Sequence, residues 1–161
     1  MGLTVASTTE EDLLAGKLWT VQYTTGSLVA TTGEDSIGLD IKGKSVIYQA
    51  RTYTSTLTDC LVTLYEDTWS GGSPVLAANR NLNIQLSGPV SYSNAITGTP
   101  LTPRTSIRLL SSSNTGNANL GSMPEGEWYM LKANTKYILR MQNLGAQAGF
   151  LNLRFTYKAV D

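Results

Sequence analysis

The sequence predicts an all-β domain, an antiparallel sandwich or closed barrel of about eight or nine strands. Three observations carry this. Apolar and polar residues alternate with a period of two through most of the chain, Gly, Asn, Ser and Thr separate the alternating runs, and no long amphipathic helical stretch is present.

Thr8 to Ala15 is the one helical candidate. Thr8 stands three residues before Glu11, the spacing of a capping box, and Glu10, Glu11 and Asp12 suit the positive start of a helix. Leu13 and Leu14 give it little apolar face before Gly16 ends it. Residues 1–15 are therefore read as an arm with a short helix, and 16–161 as a single β-domain. Trp19, Val21 and Tyr23 open the first strand, and Ile37, Leu39 and Ile41 form the next. Lys42-Gly43-Lys44 turns the chain into Val46-Ile47-Tyr48. Cys60, Val62 and Leu64 alternate with Leu61, Thr63 and Tyr65. Leu82, Ile84 and Leu86 follow, then Ile107 and Leu109, then Trp128 to Leu131. The last two strands are the clearest. Tyr137, Leu139 and Met141 lie opposite Lys136, Ile138, Arg140 and Gln142, and Leu151, Leu153, Phe155 and Tyr157 lie opposite Asn152, Arg154, Thr156 and Lys158. Asn143 to Gly149 reads as a hairpin loop between them. Two loops interrupt the pattern, Glu66 to Pro74 and the Ser/Asn/Gly-rich Ser111 to Gly126.

A chain of 161 residues buries enough surface for a core without disulfides or a structural metal. Its charged share is 15%, against a usual ~25%, and twelve basic residues balance twelve acidic ones without clustering. Such a surface exerts no long-range pull on nucleic acid or anionic lipid, and it repels its own copies weakly. The first residues carry neither a basic region nor a long apolar run, so they read as neither a signal peptide nor a membrane anchor. One cysteine, Cys60, allows no disulfide within the chain, and synthesis in a reducing compartment is expected.

Histidine is absent. That removes the usual general base near neutral pH, the commonest metal ligand and every nucleophile that depends on imidazole. Cys60, inside an alternating strand, reads as a small buried apolar residue. The carboxylates fall at a helix start, in loops or at a strand edge, where solvated charge is expected. No calcium-loop pattern occurs, and Gly71-Gly72 is not followed by the Lys-Ser/Thr of a phosphate loop. The chain is therefore expected to bind or build, with no catalytic residue, metal or cofactor. Trp69, Tyr92 and Trp128 are large aromatics outside the clearest alternation, suited to an interface or to stacking on a sugar. Trp69, Arg80, Tyr92 and Arg104, at loop or strand-end positions with size and hydrogen-bonding reach, are the candidate partner contacts.

The order of motifs is more specific than any one of them. Leu14-Ala15-Gly16-Lys17-Leu18-Trp19 opens the first strand. Leu64-Tyr65-Glu66 precedes the Gly-rich loop, and Ala77-Ala78-Asn79-Arg80-Asn81 follows it. The chain closes on Leu131-Lys132-Ala133-Asn134-Thr135-Lys136-Tyr137-Ile138-Leu139-Arg140, Asn143-Leu144 and Leu151 to Tyr157. Over most of Gly16 to Tyr157 this order resembles the jelly-roll cement or decoration proteins of tailed bacteriophages. The resemblance implies a jelly-roll sandwich on the outer capsid surface of the virion, made in the cytoplasm of the host bacterium. It also implies contact with the major capsid protein, self-association as a dimer or trimer, and no cofactor, nucleic acid or membrane as partner. The alternative is a carbohydrate-binding jelly roll of a phage tail or receptor-binding component.

Overall fold

The computed structural model describes residues 12–55, 57–81, 88–110, 118–119 and 129–160. Within them the alternating runs become β1 (Leu18–Thr24), β2 (Glu34–Ile41), β3 (Val46–Ser55) and β4 (Asp59–Tyr65). Three short strands follow, β5 (Ser73–Val75), β6 (Ala77–Asn79) and β7 (Val90–Asn94). The rest are β8 (Pro103–Leu110), β9 (Ala118–Asn119), β10 (Tyr129–Leu131), β11 (Lys136–Asn143) and β12 (Leu151–Ala159). Of the expected N-terminal helix, the described part is one turn at residues 12–14. The run at Leu82, Ile84 and Leu86, most of the Ser111 to Gly126 loop, and Trp128 lie outside the described residues.

The strands form two antiparallel sheets packed face to face. The first has the order β10-β3-β12-β1-β6, with β9 also on β3, and the second has the order β5-β7-β2-β11-β4-β8. Four ladders explain this arrangement. β1 pairs with β12, β2 with β11, β3 with β10, and β4 with β8. The chain is thus a long antiparallel ribbon, first strand against last, wound so that successive rungs alternate between sheets. That winding is a jelly roll. β5, β6 and β7 are additions carried by the excursion from Glu66 to Thr102. They extend both sheets at one side, β6 beside β1 and β7 beside β2.

Asn143 to Gly149 does not make a hairpin. β11 and β12 do not pair with each other, and the loop is an arch from the middle of one sheet to the middle of the other. Both strands alternate because each sheet has one buried face, a pattern that a hairpin and an arch share. Their inward residues, Tyr137, Leu139 and Met141 from one sheet and Leu151, Leu153, Phe155 and Tyr157 from the other, meet across the sandwich at 4% exposure or less. Trp19, Val21, Ile37, Leu39, Ile41, Cys60, Val62 and Leu64 pack into the same core, with Leu28, Val46, Leu57, Val90, Tyr92 and Leu131. Each large side chain buried in this way contributes roughly 1.5–3 kcal/mol.

The arch is fastened by one side chain. Asn143 is fully buried, and its Nδ2 donates to the carbonyls of Leu28 (3.2 Å), Val29 (3.1 Å) and Gln147 (2.8 Å). Its Oδ1 accepts from the backbone N–H of Gly145 at 2.9 Å. Leu28 and Gly149 also exchange backbone hydrogen bonds, so the 25–33 and 144–150 loops are held as one unit. Replacing Asn143 with alanine removes the partner of the Gln147 carbonyl and of the Gly145 N–H, each costing roughly 1–3 kcal/mol when left unpaired, while the Leu28 and Val29 carbonyls keep the N–H groups of Gly149 and Gly33. Asn143→Ala is expected to lower the unfolding free energy by about 3 kcal/mol in urea titration. A loss within the ordinary surface range would show that the loops hold without it.

Candidate functional site

The four candidate contacts do not come together. Tyr92 lies on the inward phase of β7, paired with Leu39 of β2, and is 3% exposed. Its ring packs on Tyr157 with centroids 5.6 Å apart and planes tilted by 54°. The expectation of a surface contact therefore fails for Tyr92. β7 carries only two buried side chains, Val90 and Tyr92, among Ser and Asn, too weak an alternation to mark a strand in the sequence. Arg80 is exposed just after β6, where its backbone N–H donates to the Leu18 carbonyl at 2.9 Å. Arg104 is exposed on β8 of the other sheet, with its Nε 2.7 Å from Glu66.

Trp69 sits over the outer face of the second sheet, held by the excursion. Asp67 closes that excursion by accepting from the backbone N–H groups of Leu101 and Thr102, both at 2.8 Å, and from the Thr102 hydroxyl at 3.1 Å. Ser70 and Thr97 exchange backbone hydrogen bonds at 2.9 Å. The indole lies against Gly38 of β2, where an added Cβ would come within 2.3 Å of the ring, so glycine is required for this approach. Trp69 Nε1 donates to the Leu39 carbonyl at 3.2 Å. The Lys136 ammonium lies 4.6 Å from the ring centroid and donates to the Trp69 carbonyl at 2.9 Å. The same cover explains Ile138. It lies on the polar phase of β11 yet is 1% exposed, because Gly98 of the excursion packs on its Cδ1. The Trp69 ring is a lid on the sheet, half-buried and hydrogen-bonded, and not a free stacking platform.

Two grooves flank residues 97–101. One, of about 460 Å³, runs past Asp67, Trp69, Ser70 and Thr97. The other, of about 450 Å³, is lined by Glu34, Asp35, Ser36, Ala95, Pro100 and Arg140, among others. Its carboxylates are engaged in holding the fold. Glu34 pairs with Arg140, and Asp35 accepts from the Tyr23 hydroxyl at 2.6 Å and the Ser36 N–H at 2.8 Å. The Tyr23–Asp35 bond ties β1 of the first sheet to β2 of the second, and burial and the adjacent carboxylate push the Tyr23 hydroxyl well above its ordinary range. Elsewhere Glu66 bridges Lys132 and Arg104, which hold its carboxyl below the usual range, and a bidentate Arg108 does the same for Asp59. Among the described residues, no three Asp, Glu or Cys side chains converge as metal ligands would. Such exposed pairs add little to stability.

Cys60 is fully buried and unbonded to any other cysteine. Burial, with the Asp59 charge adding to it, pushes the thiol up to about 12. The Tyr92 and Tyr157 hydroxyls are buried without a hydrogen-bond partner, and burial raises both above the ordinary tyrosine value.

No family model matches the chain, and no curated protein matches it. Among solved structures, the Yersinia pseudotuberculosis-derived mitogen is similar at a TM-score of 0.33 and 11% identity, over 88% of this chain and 86% of that one.

The buried tyrosines give a pH dependence of definite sign. Unfolding lets their hydroxyls ionise from about pH 10, whereas the folded hydroxyls resist ionisation, so stability is whole below that pH and falls as pH rises above it. Tyr92→Phe removes an unpaired polar atom, so its melting temperature at neutral pH should be unchanged or higher, and its alkaline unfolding should shift upward. Unfolding at a lower pH than the parent would contradict this. Cys60 should stay unreactive to an aqueous thiol reagent at about pH 8 and react fully once the protein is unfolded in denaturant. Rapid labelling of the folded protein would show an accessible thiol instead.

Proposed function

We propose that this chain is a structural virion protein. It binds the outside of a tailed-phage capsid and stabilises the lattice of major capsid protein, with no catalytic role. The observation that supports this reading is the ordered set of motifs from Gly16 to Tyr157. That set is strongest in Lys136 to Arg140 and Leu151 to Tyr157, which form the central strands of the two sheets. A protein that binds the assembled shell better than free subunits stabilises the shell by mass action, and many modest contacts suffice when the sites repeat. A balanced, sparsely charged surface suits this role, since little ionic hydration is lost on docking. Copies that associate with one another would strengthen attachment further. Arg80, Arg104 and the 97–101 grooves are exposed hydrogen-bonding features through which a shell subunit could be held. With Tyr92 in the core and Trp69 hydrogen-bonded to the sheet, a sugar-binding reading loses the stacking role expected of these two rings.

Purified particles should contain the chain in many copies, and particles lacking it should release their DNA at lower temperature or lower chelator concentration. Its absence from purified particles would overturn the proposal.

A further inference from the structure

The two sheets differ in how they hold their arginines. On the second sheet, Arg104 pairs with Glu66, Arg108 with Asp59 and Arg140 with Glu34. On the first, Arg154 of β12 and Arg80 just past β6 are exposed, and neither has an acidic partner among the described residues. Both belong to one face. Leu153 and Phe155 are buried in the core, so Arg154 between them points outward, beside Gln22 of β1. Asn79 is buried opposite Trp19, and Arg80 follows on the outward phase, its backbone N–H on the Leu18 carbonyl at 2.9 Å. Leu18 in turn pairs with Lys158, four residues past Arg154. Strand rise and spacing therefore place the two guanidiniums roughly 16 Å apart. At the far edge of the same face, Ile47 of β3 and Met130 of β10 are register partners. With Tyr129 and the Lys158 side chain they line a largely apolar hollow of about 320 Å³, and Met130 is 65% exposed. The Lys158 ammonium itself is taken by Asp12 at 2.7 Å.

We propose that the outer face of the first sheet is the surface laid against the shell. Carboxylates of the shell subunit meet Arg154 and Arg80, and one of its apolar side chains enters the hollow beside Met130. Charge selects this occupant. A guanidinium presents a planar fork that matches a carboxylate, and here two such forks stand apart among the uncharged hydrogen-bonding groups of Thr20, Gln22 and Thr24. A nucleic acid duplex, with a charge every ~1.7 Å of its axis, is held by many clustered cations, and two isolated ones do not answer it. Size agrees as well. Five strands across and the nine residues of β12 along give a face of roughly 700 Å², near the ~800 Å² that each partner brings to a standard interface. Exposed arginine and methionine on such a face are the residue types that interfaces favour. The contact takes in Arg80 and leaves out Arg104, whose charge Glu66 already meets. This assignment rests on the reading of the chain as a shell protein, and it can fail while that reading stands.

The test is co-sedimentation of the purified full chain with particles that lack it. The parent should bind saturably, and Arg154→Glu, Arg80→Glu and Met130→Asp should each weaken binding by about tenfold or more. Arg108→Glu, a charge reversal on the second sheet, should leave binding unchanged. Thermal melting checks that each variant folds, and Arg154→Ala, Arg80→Ala and Met130→Ser replace any that does not. Excess duplex DNA should not compete with the particles; competition would place nucleic acid on this face and overturn the assignment. First-sheet variants that bind as the parent does, or a loss at Arg108 alone, would overturn it and leave the shell reading in place. Particles that take up no parent chain would overturn both.

Discussion

Between Asn143 and Leu151 the chain leaves the middle of one sheet and enters the middle of the other, and both sheets are built outward from that crossing. β11 takes β2 and β4 as neighbours, and β12 takes β1 and β3. The inward faces of these two strands supply the largest continuous part of the core. Because they come last in sequence, the longest ladders of β1 and β2 form only when the end of the chain is present. Pairing first with last gives long loops to close, which places folding in the slow range typical of β-sandwiches. The crossing also explains why a single buried asparagine matters. It bonds carbonyls of both the opening and closing loops, adding to the Leu28–Gly149 bridge and supplying the Gln147 carbonyl with a donor.

The excursion from Glu66 to Thr102 answers a second physical need. A sandwich exposes the outer faces of its sheets and the edges of its outermost strands. Here β5, β6 and β7 add strands along one side of both sheets, while the loops around them cover Gly38 and Ile138 with Trp69 and Gly98. The cover takes Trp69 out of the list of free interaction groups and leaves two polar grooves at its borders. The functional interest of this face therefore lies in groove shape and hydrogen-bonding groups, not in an exposed ring.

Charge is distributed unevenly although the total cancels. Five of the six ion pairs among the described residues involve the second sheet or the connections that leave it, and the sixth ties Lys158 to Asp12. On the outer face of the first sheet, Thr20, Gln22, Thr24, Asn152 and Thr156 replace them, with Gln22 and Thr24 both hydrogen-bonded to Asn152. Local pairing thus accounts for most of the charge on the second sheet, while the outer face of the first is mainly Thr, Gln and Asn, with Arg154 among them.

Alternation in the sequence determined which residues of β1, β2, β4, β11 and β12 face inward, because a strand's side-chain period is local and depends on nothing beyond the strand. It likewise determined the all-β class and the inert setting of Cys60. Pairing was not legible, since a hairpin and an arch impose the same alternation and only the competition for ladder partners separates them. Tyr92 looked available because its strand is short and its neighbours are Ser and Asn, and the opposing Tyr157 ring supplies the apolar setting that no local pattern records. The glycines at 38 and 98 and the apolar Ile138 on the polar phase of β11 are the signals that could have marked the cover over the second sheet, and none of them names what approaches. Sequence set the faces of the strands. The tertiary structure chose their partners, because pairing, cover and burial are long-range contacts between segments that the chain keeps far apart.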